Sequence, residues 1–201
     1  MSPPQDNPAC KSLVEPLIST KIVYQGKYVR TEEQTVRQPD GKEAIREIVS
    51  PPNAVGIFAI DSQGSSPRDE TVYLVLQYRP AICQVTLEIP AGILDPGESP
   101  RETAMRECEE EIGLTPGRLD FLFSYYHSVG FSTGKIDIFM ATDFSPAVNA
   151  HTDPSEFLER IALPFETLYQ KCIKGEIVDS KTLLAVLWHR QQIFPLLQGK
   201  G

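Results

Sequence analysis

The alternation of apolar and polar residues predicts several strands before any helix. Residues 20–35 alternate around Gly26, which indicates a hairpin or a bulged pair of strands, and residues 41–50 lead into another strand. Compact apolar runs at residues 54–60 and 71–77 predict buried central strands. The first third of the chain is therefore predicted to be mostly β-structure.

Helical patterns are confined to the middle and the end of the chain. A strand is predicted at residues 84–92, before the middle helix. After that helix we expect strands at 119–126 and 135–142, an acidic loop at 153–159, and helices at 163–174 and 180–192. The order of elements predicts an α/β fold, in which helices cover both sides of a mixed sheet and a β extension precedes it.

The middle helix has clear signals at both ends. Ser99 and Pro100 suit the N-cap and the first helical position, and Glu102 stands three residues after the cap, as a capping box requires. Gly113 is a typical residue for the end of a helix. The helix is therefore expected to cover about residues 100–112.

Four glutamates within five positions of this helix are its most unusual feature. Glu107, Glu110 and Glu111 share one face at helical spacing, where like charges repel each other. Arg106 can relieve part of this repulsion through Glu102, Glu109 or Glu110, but Glu107 and Glu111 stay uncompensated. We therefore expect a cation at this face.

Length and composition fit a single globular domain with an N-terminal extension. The chain has 201 residues, of which 41% are hydrophobic and 23% charged. We expect residues 1–19 to be a flexible segment, residues 20–50 to form N-terminal strands and a candidate dimerisation region, and residues 51–201 to form the main domain. The first nine residues are polar and rich in proline, which favours disorder.

Charge and cysteine content exclude several classes of protein. The net charge of -8 argues against a broad surface for nucleic acid, so a polyanionic substrate needs local cations, which divalent metal ions on the glutamates would supply. The four cysteines form no CxxC pair, which argues against a zinc site or a disulfide framework. The chain contains neither a membrane span nor a signal-peptide pattern, and we expect a cytoplasmic protein.

The loop and the helix together resemble the signature of the Nudix hydrolase family. That signature is Gly, five residues, Glu, seven residues, then Arg-Glu-aliphatic-X-Glu-Glu-X-Gly-aliphatic. It is matched by Gly92, Glu98, Arg106, Glu107, Glu110, Glu111, Gly113 and Leu114. Cys108 stands where the family prefers an aliphatic residue, and cysteine is itself a small apolar residue. A solvated acidic helix face would explain the charges but not the loop and the spacings before them.

The resemblance implies a Nudix-type α/β/α sandwich that binds Mg2+, with Mn2+ as an alternative, and hydrolyses a nucleoside diphosphate linked to another group. Glu107 and Glu111 would be metal ligands, and Glu110 a third carboxylate bound directly or through water. The backbone carbonyl of Ala91 would complete the coordination. Arg106 would orient the glutamates, and Glu98 would brace the loop or reach a metal through water.

Short matches outside the signature resemble the ADP-ribose pyrophosphatase branch of the family. They include Gln77-Tyr78-Arg79-Pro80 and the segment from Glu88 to Gly92. In that branch Tyr28 would stack on the nucleobase and Arg79 would pair with phosphate, although a half-buried strand residue and a surface ion pair are the plain alternatives. Glu88 would lie beside the metal or at a dimer interface.

The general base is expected on a loop after the last strands. Glu156 matches the position in that branch best, and Glu159 is the fallback. His127 lies in an earlier loop, where it would either contact phosphate or form a structural hydrogen bond. This loop contains Ser128-Val129-Gly130, whereas many ADP-ribose hydrolases have Ser-Pro-Gly followed by an acid.

The resemblance thus implies a nucleoside diphosphate sugar as substrate, with ADP-ribose first, and a homodimer. GDP-mannose or a dinucleotide would be cleaved by the same chemistry. A regulator that binds nucleotides without turnover is a hypothesis from another class, and the complete set of Glu107, Glu110 and Glu111 argues against it.

Overall fold

A computed structural model describes residues 8–62, 70–148 and 157–198 of the chain. The chain forms two compact units. The first contains Met1–Pro52 and Tyr126–Lys135, and the second contains Asn53–Tyr125 and Ile136–Gly201. None of the helices within the described ranges is both long enough and apolar enough to cross a membrane.

The first unit is built on a small antiparallel sheet. A short helix, α1 (Pro8–Lys11), precedes strands β1 (Leu17–Gln25), β2 (Arg30–Arg37) and β3 (Glu43–Ser50), which pair in the order β1-β2-β3. The predicted hairpin is therefore present, and β1 begins three residues earlier than expected. Val49 of β3 also exchanges backbone hydrogen bonds with the segment that contains Phe131 and Thr133, at 2.8 and 3.0 Å.

The second unit contains a mixed sheet of seven strands. Five strands form the path β10-β5-β4-β9-β8, and the short strands β6 and β7 pair with β5 and β4. Strands β4 and β9 are parallel, whereas β4/β5, β5/β6, β4/β7 and β5/β10 are antiparallel. The strand bounds are β4 Ala54–Ser62, β5 Glu70–Arg79, β6 Gln84–Glu88, β7 Ala91–Ile93, β8 Leu114–Tyr126, β9 Lys135–Pro146 and β10 Leu158–Pro164.

Helices lie on both faces of this sheet, because both faces are apolar. Helix α2 (Pro100–Glu107) and the π-helical segment Cys108–Ile112 cover one face, and α3 (Phe165–Ile173) and α4 (Ser180–Gln198) cover the other. Each layer has its own cluster of buried side chains, the first around Val55 and Ile57 and the second around Phe58 and Leu74. The predicted α/β/α sandwich with a mixed sheet and N-terminal strands is confirmed.

The observed elements differ from the predicted ones near the end of the chain. Residues 158–164 form β10, whereas the sequence pattern indicated an acidic loop followed by a helix from residue 163. The strand pairs along its whole length with β5 at the edge of the sheet, although most of its side chains are exposed. Helix α3 consequently begins at Phe165, directly after Pro164.

Candidate active site

The start of α2 is fixed by the predicted capping box. The Ser99 hydroxyl accepts a hydrogen bond from the Glu102 backbone N–H at 3.3 Å, and the Glu102 carboxylate accepts one from the Ser99 backbone N–H at 2.8 Å. Pro100 follows the cap, where its missing N–H costs nothing. The cap therefore sets where the helix begins and which residues follow on each face.

The second half of the acidic helix is a π-helix and not the regular α-helix that the glutamate spacing suggested. It covers Cys108–Ile112 and ends at Gly113, which has a left-handed φ of 73°. Such a segment has a wider turn than an α-helix, so the positions of Glu110 and Glu111 relative to Glu107 do not follow the α-helical spacing. Segments of this kind are frequent at functional sites.

Arg106 joins three glutamates into one cluster. Its Nε and Nη2 atoms donate to the two carboxylate oxygens of Glu98 at 3.0 and 3.1 Å. Its Nη1 atom donates to Glu107 at 2.7 Å and to Glu110 at 2.9 Å. The hydrogen bond from Arg106 holds the pKa of Glu98 at about 2, so this carboxylate is ionised at neutral pH.

Glu102 and Glu109 take no part in the cluster around Arg106. The carboxylate of Glu102 bonds to Ser99, and that of Glu109 accepts a hydrogen bond from the Thr115 hydroxyl at 2.7 Å. Glu102, Glu109 and Glu110 all lie at helical spacing from Arg106, but only Glu110 bonds to it in the structure. Glu98 lies in the loop before the helix and bonds to Arg106, so it links this loop to the helix.

Gly92 of the short strand β7 lies directly against Glu107. A Cβ atom on residue 92 would be 1.7 Å from Oε1 of Glu107, so only glycine leaves room for this carboxylate. The neighbouring Ala91 donates its backbone N–H to Oε2 of Glu111 at 2.8 Å. The short strand β7 thus contacts both glutamates that the signature assigns to metal. The proposed use of the Ala91 carbonyl as a ligand stays a prediction.

Two carboxylates of the site, those of Glu107 and Glu111, are buried and contribute a negative potential. Glu107 is 7% exposed and Glu111 is 3% exposed. Burial, together with the charges of Glu109 and Glu111, raises the pKa of the Cys108 thiol to about 12. The expectation that Glu107 stays uncompensated is wrong, because Arg106 pairs with it at 2.7 Å, so Arg106 itself supplies one cation at this face.

The donor atoms fit a hard divalent metal ion, which prefers carboxylate and carbonyl oxygens. In the described part of the chain, no three His, Cys, Asp or Glu side chains already converge in the arrangement of a metal site. The reason is that Glu107 and Glu110 turn toward Arg106, whereas Glu111 turns toward Ala91. Each carboxylate retains further lone pairs for coordination.

A second charged cluster lies at the end of β6. Arg79 forms two hydrogen bonds of 2.7 Å with Glu88, which is 2% exposed and also bonds to Lys181 and Thr86. Burial alone would raise the pKa of Glu88, but the hydrogen bonds and charges of Arg79 and Lys181 outweigh burial and hold it at about 2. The guanidinium of Arg79 is therefore already paired, although its side chain is 42% exposed.

Arg160 is a functional candidate that sequence reasoning missed. From β10 it donates hydrogen bonds to the backbone carbonyls of Glu111 and Glu110, at 2.7 and 2.9 Å. A cation at the carboxyl end of a helix is favourable because the last carbonyls carry partial negative charge. No sequence signal pointed to it, since β10 itself was not predicted.

Other predicted residues lie elsewhere in the chain. Tyr28 is in the first unit, 55% exposed, with the Lys27 ammonium 4.8 Å from the centre of its ring. His127, in the same unit, bonds to the Ser132 hydroxyl at 3.2 Å, the structural alternative for this residue. Glu159 is an exposed residue of β10, and Glu156 lies outside the described residues.

Comparisons with known proteins agree with this geometry. The NUDIX domain family matches residues 50–184. The methanol dehydrogenase activator of Bacillus methanolicus is 35% identical over 183 residues, covering 90% of this chain and 96% of that protein. The ADP-ribose pyrophosphatase of Bacillus subtilis is 33% identical over 177 residues, covering 88% and 92%.

The fold has a solved counterpart as well. The crystal structure of an ADP compounds hydrolase superposes with a TM-score of 0.76 at 20% identity, and the match covers 93% of this chain and 97% of that one. The resemblance to the ADP-ribose pyrophosphatase branch that the sequence motifs suggested is confirmed. The complete signature, the strand-loop-helix unit that contains it and the family match lead to one conclusion: the chain belongs to the Nudix family of hydrolases.

Proposed function

We propose that this hydrolase is a Mg2+-dependent pyrophosphatase that cleaves ADP-ribose or a related nucleoside diphosphate sugar into a nucleoside monophosphate and a sugar phosphate. The observation that carries the proposal is the cluster in which Arg106 binds Glu98, Glu107 and Glu110 beside Gly92 of β7. The ADP-ribose pyrophosphatases of Bacillus subtilis and Mycobacterium tuberculosis, 33% and 31% identical, support the choice of substrate.

The residues divide the work of hydrolysis among them. Glu107 and Glu111 would hold Mg2+, with Glu110 as a third carboxylate, and bound Mg2+ would supply charge neutralisation at the diphosphate and an acidified water. Arg106 keeps three like-charged side chains together, one from the loop before the helix and two from the acidic segment. Glu156 is our candidate for the general base, with Glu159 as the alternative.

Substrate binding would involve residues outside this cluster. Tyr28 offers an exposed ring for stacking on the nucleobase. Arg79 offers a half-exposed guanidinium to phosphate, held in orientation by its paired hydrogen bonds to Glu88. Glu88 itself is buried, so its role here is to orient Arg79 and not to contact the sugar.

The proposal is tested with a panel of substrates in the presence of Mg2+ or Mn2+. ADP-ribose, GDP-mannose and a dinucleotide are compared by phosphate release after phosphatase treatment, and ADP-ribose is expected to give the highest kcat/KM. A higher value for either of the others would assign the enzyme to that substrate. If none of the three is hydrolysed, the proposed function is wrong.

Two matched variants test whether Glu111 takes part in hydrolysis. Glu111→Gln removes a proposed ligand and is expected to lower kcat by at least about 100-fold while the fold is retained. Glu109→Gln is the control, because this neighbouring glutamate bonds to Thr115 and lies outside the cluster. If Glu111→Gln retains wild-type activity, as Glu109→Gln is expected to, Glu111 has no role in the mechanism.

A regulator without turnover is the second candidate, favoured by the name of the methanol dehydrogenase activator that matches 90% of this chain. The two functions differ in a simple respect. A regulator would bind ADP-ribose without consuming it, whereas the enzyme converts it completely. Product analysis by chromatography after prolonged incubation with Mg2+ distinguishes them.

We further propose that the protein is a homodimer assembled through its N-terminal strands. All nine residues of β1 are exposed, including the large apolar side chains Leu17, Ile18, Ile22 and Val23. An exposed edge strand of this length is a ready pairing surface. Sedimentation is expected to give twice the chain mass of 22.4 kDa, and Ile22→Asp to give the monomer. A monomeric wild-type protein would exclude this assembly.

A further inference from the structure

The first turn of α4 contacts the short connection between β6 and β7, which leads into the proposed metal site. The Thr182 hydroxyl accepts a hydrogen bond from the Ile89 backbone N–H at 2.8 Å and donates one to Asp179 at 2.5 Å. Asp179 also accepts the Thr182 backbone N–H at 3.0 Å and so caps the helix. Thr182 is completely buried, so these bonds are shielded from water.

Lys181 provides a second link from the same turn. Its ammonium bonds to Glu88 and lies 3.1 Å from Asp179, and the residue is only 6% exposed. Glu88 in turn holds Arg79 in a paired hydrogen bond. Two cations and two carboxylates therefore balance each other at this point, which allows Glu88 and Lys181 to be buried.

The segment held in this way runs directly into the site. Glu88 and Ile89 are followed by Pro90, whose carbonyl accepts the Ile57 backbone N–H at 2.8 Å, and then by Ala91, whose N–H bonds to Glu111. The connection between β6 and β7 thus receives a hydrogen bond from α4 at Ile89, and two residues later Ala91 bonds to a glutamate of the acidic segment. A shift of Ile89 would move Ala91 relative to Glu111.

We propose that Lys181 and Thr182 are positioning residues of the hydrolase site, which act through Glu88 and Ile89 on Arg79, Ala91 and Glu111. This inference rests on the proposed function, since it assigns Glu111 to metal and Arg79 to phosphate. Groups that orient metal ligands from behind commonly contribute about 10- to 100-fold to metal affinity or activity. An effect of that size is not expected from a helix that only covers the sheet.

The experiment compares Thr182→Val with Thr182→Ser and Ser180→Ala in the full chain. Valine keeps the shape of threonine but removes the hydroxyl, whereas serine retains it. Ser180 stands in the same turn and bonds to the Tyr125 hydroxyl at 3.3 Å, outside this path. Mn2+ affinity is measured without substrate by water proton relaxation, kcat is measured with ADP-ribose, and the melting temperature is recorded for each variant.

Thr182→Val is expected to weaken Mn2+ binding about 10-fold or more and to lower kcat, while serine restores both to within about twofold of wild type. Ser180→Ala is expected to match wild type in Mn2+ affinity. A lower melting temperature in Thr182→Val with unchanged Mn2+ affinity and kcat would reduce the residue to a structural role and overturn the inference.

Lys181→Met and Lys181→Arg provide an independent arm if the valine variant does not fold. Methionine removes the cation shared by Glu88 and Asp179 and is expected to reduce Mn2+ affinity and kcat, whereas arginine retains the charge and should restore part of both. Equal Mn2+ affinity in wild type and in Lys181→Met would overturn this inference but would leave the proposed function standing. Failure of the wild-type protein to bind Mn2+ would overturn the proposed function and, with it, the inference.

Discussion

Replacing Gly92 by alanine tests whether the close approach of β7 to Glu107 matters for the site. A Cβ atom at this position would lie 1.7 Å from Oε1, 2.0 Å from Cδ and 2.7 Å from Cγ of Glu107. Ordinary contact needs about 3.5 Å or more, so the Glu107 carboxylate has to retreat by more than about 1 Å. Glu107 has a flexible side chain, which makes this movement the easiest response to the substitution.

The expected cost falls mainly on activity and to a smaller extent on stability. A displacement of about 1 Å in a catalytic group can lower the rate on the order of 100-fold, and the same movement breaks the 2.7 Å bond between Glu107 and Arg106. Loss of one such bond destabilises the fold by about 1–3 kcal/mol, of which about 0.4–1 kcal/mol is returned by the less flexible unfolded chain. We expect kcat to fall about 100-fold and the melting temperature to fall by only about 2–6 °C.

Gly175→Ala is a control that should reduce stability without reducing activity. Gly175 has a φ of +74°, and a Cβ atom added there would meet nothing within 4 Å in the described part of the chain, so alanine encounters backbone strain but no steric clash. That strain costs about 1–2 kcal/mol, and the residue follows α3, away from the acidic cluster. This variant should melt at a lower temperature than wild type while its kcat and Mn2+ affinity stay unchanged.

The assay measures kcat with ADP-ribose, Mn2+ affinity and thermal unfolding for both variants. Mn2+ affinity is included because it reports on Glu107 without any assumption about the substrate. If Gly92→Ala retains wild-type kcat and Mn2+ affinity, the close approach of β7 to Glu107 has no role in the site. If both variants lose activity in proportion to their stability, unfolding and not the position of Glu107 explains the loss.

Three further predictions concern the charged groups around the site. Arg106→Lys should lower kcat by about 10- to 100-fold in a steady-state assay, since a lysine cannot make the fork to Glu98 and reach the other glutamates as well. Arg160→Met should lower the free energy of unfolding by about 1–2 kcal/mol in urea titrations, because two carbonyls of the π-helical segment lose their donor. The pKa of Glu88 falls from 4.5 to about 2 on folding, so its ionisation stabilises the fold fully above pH 4.5, and this contribution of up to about 3 kcal/mol is lost as pH falls toward 2. The difference in unfolding free energy between wild type and Glu88→Gln should therefore narrow over that pH range, and a constant difference would contradict the reasoning.

The sequence predicted the local chemistry of the site well, because that chemistry is encoded within one short segment. The capping box at Ser99 and Glu102 and the left-handed stop at Gly113 depend only on neighbouring residues, and both are present. The alternation of polarity likewise located most strands of the sheet. Such features require no knowledge of which distant residues meet.

Contacts between residues that are far apart in the chain could not be predicted from the sequence. Strand β10 has mostly exposed side chains and lacks the buried pattern of a central strand, so nothing marked it, and with it Arg160 was missed. The partners Lys181 and Glu88 are 93 residues apart, and only the fold brings them together. The π-helical turn was also missed, because the same glutamate spacing is compatible with an ordinary α-helix.

These distant contacts explain how a repulsive set of carboxylates is held in place. Glu107 lies against Gly92 of β7 and bonds to Arg106 of its own helix, whereas Glu111 bonds to Ala91, two residues after the Ile89 that α4 holds. Arg160 binds the carbonyls of the same turn from β10. Since these contacts come from β7 and β10 as well as from α2, the acidic helix does not have to overcome the repulsion by its own propensity. The acidic segment is therefore stable as part of the folded unit, and an isolated peptide of residues 99–114 should show little helix by circular dichroism at neutral pH, since one short helix with four clustered glutamates gains none of these contacts.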